Sequence, residues 1–283
     1  MRHIAAIGAA LSEALCEPVL RHAGLGGLAV AASLAFSATS AEAILLGVDA
    51  TQDRLVTIDT TTGAATLGPL TAASLVSLAA DSTGGLYGFN NTFFRRFGSI
   101  DPVTGSFTSI TIFGSGSSVQ GMSFNSADTL YGVENSADML MTIDTVTGGQ
   151  ATIGATGFGL VTGVAFDPTD ILYGYDAATD QLITIDTVTG AGTAVGLVGL
   201  GAFSIQGLAF VDGVLYAADV TNDQLVTIDT GTGAATVVGP TGTFNVLGLT
   251  NFTGVTPIPA AGATTLFALG AAGLAWRRRR MAA

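Results

Sequence analysis

The phrase I-D-x-x-T-G occurs five times along this chain, with its aspartates at Asp59, Asp101, Asp144, Asp186 and Asp229, spaced 42, 43, 42 and 43 residues apart. The closing glycines, Gly63, Gly105, Gly148, Gly190 and Gly233, keep the same spacing. A fixed period of this size means one supersecondary unit built five times, each burying its apolar surface against its neighbours. Two further phrases run ahead of each turn. One is L-Y-G, as in Leu86-Tyr87-Gly88 and Leu172-Tyr173-Gly174, and the other is Gly121-Met122-Ser123-Phe124 with its counterparts at Gly163 and Gly207. A short run such as Ala235 to Gly239 follows. Each unit thus offers four short β-favouring runs separated by Gly, Asn and Asp, which reads as an antiparallel meander. Four strands per unit is the blade of a propeller.

The ends of the array point to a closed ring. The first unit starts at Ile44 in what would be its second strand, Leu45 to Asp49, and lacks a first one. The missing piece stands after the fifth unit as Val246-Leu247-Gly248-Leu249-Thr250-Asn251-Phe252. A C-terminal strand that completes the first blade would remove two free sheet edges. The expected fold is therefore all-β, a five-bladed β-propeller of four-stranded blades over residues 44–254. An open β-array is the alternative, and it has no need of a borrowed strand. The repeat resembles the turn-bearing units of many propeller families, including bacterial repeats of unknown function.

Charge narrows the partners. Between Ile44 and Thr256 the chain has three arginines and 18 Asp and Glu, which leaves −15, and it has no lysine anywhere. Such a domain is not built for nucleic acid or for an anionic membrane surface.

Residue types narrow the chemistry. His3, His22 and Cys16 precede Ile44, so the domain has no imidazole for a general base or metal, no thiol and no amine. No cofactor and no metal site are expected, and the domain reads as non-catalytic. Two alternatives remain open on carboxylates alone: a glycan-active enzyme, which needs only two acids, and a calcium-dependent adhesin. For the latter, Asp176 with Asp180 and Asp219 with Asp223 place two acids four apart, without the twelve-residue EF-hand pattern. Nearly every acid falls in a repeated turn slot. Asp59 and its mates should accept backbone N–H bonds while the following glycine takes positive φ.

Departures from the repeat mark candidate binding residues. The second unit reads Phe93-Phe94-Arg95-Arg96, with Arg95 in the slot of Asp53, Asp138, Asp180 and Asp223. Such a cluster stacks on sugars or holds an anion, or else its phenylalanines pack locally. Gln120, Thr162 and Gln206, each just before an inner-strand glycine, are expected near the central channel beside Phe158, Phe203 and Phe244. They form either a second binding rim or ordinary channel filling.

Both ends read as addresses. Arg21 and His22, the apolar run Leu25 to Phe36, and Ala41-Glu42-Ala43 make a secretory signal, with cleavage expected before Ile44. Ile258 to Trp276 gives 19 largely apolar residues, roughly 28 Å as a helix. Arg277, Arg278, Arg279 and Arg280 follow and would stay cytoplasmic, leaving the body outside. The order Thr256-Pro257-Ile258-Pro259-Ala260, apolar helix, arginine cluster resembles the PEP-CTERM class of sorting tails, in its V-P-L-P-A form, with Ile258 where Glu is usual. That resemblance implies processing near Pro257 and Pro259 by an exosortase-type membrane protease. It also implies an outer-surface or extracellular-matrix location in a Gram-negative bacterium that makes exopolysaccharide, reached through a transient membrane anchor. An ordinary single-span anchor is the alternative.

Overall fold

The computed structural model describes residues 43–254, except 72, 91–93, 114–117, 202–203 and 243–244. The expected leader up to residue 42, Phe93, Pro257, Pro259 and the arginine cluster lie outside the described residues. Among the described residues no helix is long and apolar enough to cross a membrane.

Twenty strands form five four-stranded antiparallel sheets arranged as a ring of blades. The first blade contains β1 (Ile44–Asp49), β2 (Arg54–Ile58) and β3 (Ala65–Leu70). The second runs β4 (Leu75–Ala80), β5 (Leu86–Asn90), β6 (Arg96–Ile100) and β7 (Phe107–Ile112). The third runs β8 (Val119–Phe124), β9 (Leu130–Glu134), β10 (Met139–Ile143) and β11 (Gln150–Ala155). The fourth runs β12 (Val161–Phe166), β13 (Leu172–Asp176), β14 (Gln181–Ile185) and β15 (Gly192–Leu197). The fifth runs β16 (Ile205–Val211), β17 (Val214–Asp219), β18 (Gln224–Ile228) and β19 (Ala235–Pro240). The last strand, β20 (Val246–Phe252), returns to the first blade, whose order is β20-β1-β2-β3. It pairs antiparallel with β1, Ile44 opposite Phe252 and Asp49 opposite Val246. The borrowed closing strand expected from the sequence is therefore the one the ring uses.

Each I-D-x-x-T-G phrase is the turn from third to fourth strand. Asp59 Oδ1 accepts the backbone N–H of Thr61 at 2.8 Å and of Thr62 at 2.9 Å, and Gly63 N donates to the Asp59 carbonyl at 2.8 Å. The pattern recurs at Asp101, Asp144, Asp186 and Asp229. These donors favour the ionised carboxyl. At Asp59 and Asp229 a Thr hydroxyl and then the turn N–H groups hold the carboxyl below its usual value. At Asp101, Asp144 and Asp186 the turn N–H groups lead. The closing glycine has two duties. Gly190 sits at φ +83°, and a Cβ there would lie 2.5 Å from the Gly154 carbonyl oxygen on the preceding blade's outer strand. The phrase thus makes the turn and docks the blades together, which is why it repeats so strictly.

Apolar side chains fill the seams. Among the described residues the buried hydrophobics form five clusters, one per blade-to-blade seam. The seam between the fifth and first blades sets Ala209, Val211 and Leu225 against Leu45, Val56 and Leu249 of the closed first blade. Along three seams the Tyr of one L-Y-G phrase meets the inner-strand Phe of the next blade: Tyr87–Phe124, Tyr131–Phe166 and Tyr173–Phe210, with centroids 5.6, 5.1 and 5.5 Å apart. Truncating a seam residue such as Leu208, 2 % exposed, to Ala should cost about 2–5 kcal/mol. At the axis the inner strands approach closely. A Cβ on Gly207 would lie 2.6 Å from Leu249 N. The second blade carries Ser77 in this slot, and its hydroxyl donates to the Val119 carbonyl at 3.3 Å.

Candidate functional site

An antiparallel meander sends alternate turns to opposite faces of the ring. On one face, the hairpin face, lie the first-to-second-strand turns and the I-D-x-x-T-G turns. On the other, the connection face, lie the second-to-third-strand turns and the links between blades. Ten of the 18 acids are on the hairpin face: the five I-D aspartates with Asp81, Asp128, Asp167, Asp170 and Asp212. The other eight share the connection face with Arg54, Arg95 and Arg96.

On the connection face one acid or amide ends each second strand: Asp49, Asn90, Glu134, Asp176 and Asp219, all buried. Glu134 accepts the N–H groups of Ser118 at 3.0 Å, Ser136 at 2.9 Å and Ala137 at 2.8 Å. It clamps its own turn to the incoming connection. Burial alone would push this carboxyl up, and those donors outweigh it and hold it below its usual value. Asp176 likewise accepts from Leu160 N at 3.1 Å. Asp138, four residues after Glu134, is pushed up by burial and then by the charges of Asp176 and Glu134.

Arg95 is best read against its counterpart in the fourth blade. There Asp180 accepts the Tyr175 hydroxyl at 2.9 Å and the Gly201 N–H at 2.8 Å. Burial pushes the Tyr175 hydroxyl above its usual range. In the second blade these two slots hold Arg95 and Phe89. The Arg95 carbonyl keeps the slot's backbone role, accepting from Phe113 N at 2.8 Å as the Asp180 carbonyl does from Val198 N at 2.9 Å. Among the described residues, one Arg95 guanidinium nitrogen is buried without a hydrogen-bond partner, as is the Ser118 hydroxyl. Phe94 is 56 % exposed, and exposed Arg96 borders a cleft with Asp53, Asn90, Thr71 and Ser74.

The other expected rim residues lie on the inner strands β8, β12 and β16. Gln120 and Gln206 are half-buried on β8 and β16. Thr162 is 1 % exposed, and its hydroxyl donates to the Ile205 carbonyl of the next blade at 2.7 Å, so it joins two blades. Phe158 is not beside the channel. Its ring lies against Gly192 on the fourth blade's outer strand, 2.7 Å from where a Cβ would be. The connection between blades crosses the perimeter before it turns inward. Phe203 and Phe244 lie outside the described residues.

The hairpin face also holds a hollow. Two cavities of about 310 and 550 Å³ share Phe124, Asn125, Ser126, Phe166, Phe210 and Asn251, and so form one mouth over the channel. The three phenylalanines come from the same inner-strand slot of the third, fourth and fifth blades. In the first and second blades that slot holds Asn251 and Ala80. Asn251 Oδ1 is buried without a hydrogen-bond partner among the described residues. Two latches tie the hairpins: Ser82 donates to Asp128 through N–H and hydroxyl at 2.8 and 2.6 Å, and Ser126 donates to Asp170 at 2.8 and 2.5 Å. Pro168 takes the serine's place in the fourth blade and has no N–H to give. The fifth blade shortens its turn to Asp212-Gly213, at φ 51° and 80°, the signature of a type I′ hairpin. The G-x-x-F phrase was the signal for the mouth in the sequence, through the Phe that three units share and two lack. Among the described residues no three His, Cys, Asp or Glu are grouped to hold a metal ion.

No protein-family model matches the chain, and no curated protein matches it. Among solved structures it is similar to a chain in the crystal structure of the nidogen/laminin complex, at TM-score 0.55 and 15 % identity, covering 74 % of this chain and 98 % of that one. Glutaminyl cyclase from Myxococcus xanthus matches at TM-score 0.47 and 17 % identity, over 66 % and 74 % of the two chains. A virginiamycin B lyase from Staphylococcus aureus matches at 0.45 and 17 %, over 66 % and 62 %. The likeness to the first is one of fold, and the chain is a five-bladed β-propeller.

Proposed function

We propose that this chain is an exported, non-catalytic binding scaffold of a bacterial surface or extracellular matrix, associated with exopolysaccharide. The observation that carries the reading is the use of its acids. The five I-D aspartates, Glu134, Asp176 and Asp219 all accept N–H groups of their own turns or connections. Carboxylates held in this way act as frame. The residues that break the repeat, Arg95, Arg96 and the channel mouth, stand on a rigid ring where loops serve as contacts. The leader ending at Ala41 and Ala43 before Ile44, and the tail with Pro257, Pro259 and Arg277 to Arg280, give export and exosortase-type release.

Intact-mass measurement on protein recovered from envelope and medium tests the address. A chain from Ile44 to near Pro257 is expected, and one retaining Arg277 to Arg280 would sink the sorting reading. Co-sedimentation with the producer's own polysaccharide tests the role. Arg95→Ala with Arg96→Ala should weaken it, and no sedimentation with the unaltered protein would overturn the scaffold reading.

One observation favours a carboxylate-only glycan enzyme. Glu134 and Asp138, four apart in one turn, have their proton affinities pushed in opposite directions, as an acid–base pair requires. Hydrolysis of the polysaccharide that is lost in Asp138→Asn would establish that reading instead.

A further inference from the structure

We infer that the channel mouth on the hairpin face is a binding site for one uncharged sugar ring. The inference rests on the scaffold reading and names its ligand and its place.

The wall of the mouth has two unlike halves. Phe124, Phe166 and Phe210 make one side apolar, Phe124 half-buried and the other two 8 % exposed with their remaining surface toward the hollow. Asn251 and Ala80 replace the ring on the other side, and Asn251 brings an amide whose enclosed oxygen has no hydrogen-bond partner among the described residues. A buried acceptor without a donor is costly, and a ligand hydroxyl that the amide turns to meet would relieve it. A pyranose has a face of C–H bonds and a rim of hydroxyl donors, which matches an aromatic half facing an amide half.

The charge selects among sugars. The whole face carries aspartates and, among the described residues, none of the three arginines, so a uronic acid is repelled. Both Asp128 oxygens and both Asp170 oxygens are already engaged by Ser82 and Ser126. Asp81 and Asp167, which also line the hollow, cap their own turns. Four of the five lining carboxylates, Asp212 being the fifth, are thus engaged within the hairpins, and a neutral ring is the better fit than an amine.

The test is titration of the purified protein with methyl glucoside, methyl galactoside and methyl mannoside, beside glucosamine and glucuronate, read by saturation-transfer NMR and calorimetry. Two variants fill the mouth with the repeat's own residue, Asn251→Phe and Ala80→Phe. Tyr216 stands ready for the first as Tyr173 does for Phe210, so an unchanged melting curve is expected. Binding of at least one neutral hexoside, weakened about tenfold or more in Asn251→Phe, the scale of one lost hydrogen bond, is the expected result. Tighter binding of glucuronate or glucosamine than of every neutral ring would overturn it. So would neutral binding that neither variant alters. Should polysaccharide still sediment with the protein while no ring occupies the mouth, this inference falls and the scaffold reading stands. Loss of both would remove both.

Discussion

The connection face and the hairpin face are built from the same kind of acid placed in different surroundings. Connection-face carboxylates such as Asp49, Glu134, Asp176 and Asp219 are buried, and two of these four, Glu134 and Asp176, tie their turn to the incoming connection. Hairpin-face aspartates such as Asp59 and Asp144 are exposed and cap only the turn they start. The bond type is shared and the burial is not. A carboxylate removed from water is strongly destabilising when its donors are taken away, whereas an exposed cap exchanges protein donors for water. The larger stabilising share per carboxylate should therefore lie on the connection face, and the stronger long-range negative field on the hairpin face.

The most severe way to break this comparison is to end the chain before Val246. That removes β20, opens the seams on both sides of the first blade and takes Asn251 from the mouth. Both faces should fail together, with loss of cooperative unfolding by circular dichroism in urea. A sharper test sets one acid of each face side by side. Glu134→Gln should cost about 1.5–3 kcal/mol, the scale of hydrogen bonds to a buried charge, whereas Asp144→Asn should leave the urea midpoint nearly unmoved. Equal effects would erase the distinction.

Acid titration comes next. Asp59, Asp101, Asp144, Asp186 and Asp229 are held below the ordinary value of 3.8, and Glu134 below 4.5. The unfolded chain binds more protons than the folded one in that window, so their contribution is complete above these ordinary values and is lost as pH falls through the folded ones. The melting temperature should drop as pH falls below about 4. Asp138 has the opposite sign. Its ionisation disfavours the fold, so Asp138→Asn should raise the urea midpoint at pH 7 by a small amount. That gain should vanish at a pH low enough to protonate the native Asp138.

Strand count, blade order and the closing strand could all be read from the chain because each is stated five times or is conspicuous by one absence. The candidate sites were less legible for a physical reason. Arg95 stood out as a charge reversal in a repeated slot. Phe124, Phe166 and Phe210 did not, because a Phe closing a strand reads as core, and most of each ring is core. Only the register of five strands around one axis shows that their remaining edges share a mouth with Asn251. Thr162 looked like a rim residue, yet inner strands this close convert its hydroxyl into a link between blades. Phe158 was misplaced because a meander pattern gives turn positions and says nothing of how far blade twist carries a connection outward.

The pairing of Ile44 with Phe252 also sets an order of events. The first strand of the ring leaves the ribosome with an unpaired edge and waits for the last one. Pairings between segments so distant along the chain form slowly, since the entropy of the whole intervening loop opposes them. Four blades can organise locally while the first remains incomplete and exposes an edge open to other chains. Substitutions in β20 should therefore slow the final refolding phase, whereas equivalent changes in β12 should not. Stopped-flow fluorescence would separate the two, and the aggregation risk of this protein would be concentrated in the interval before closure.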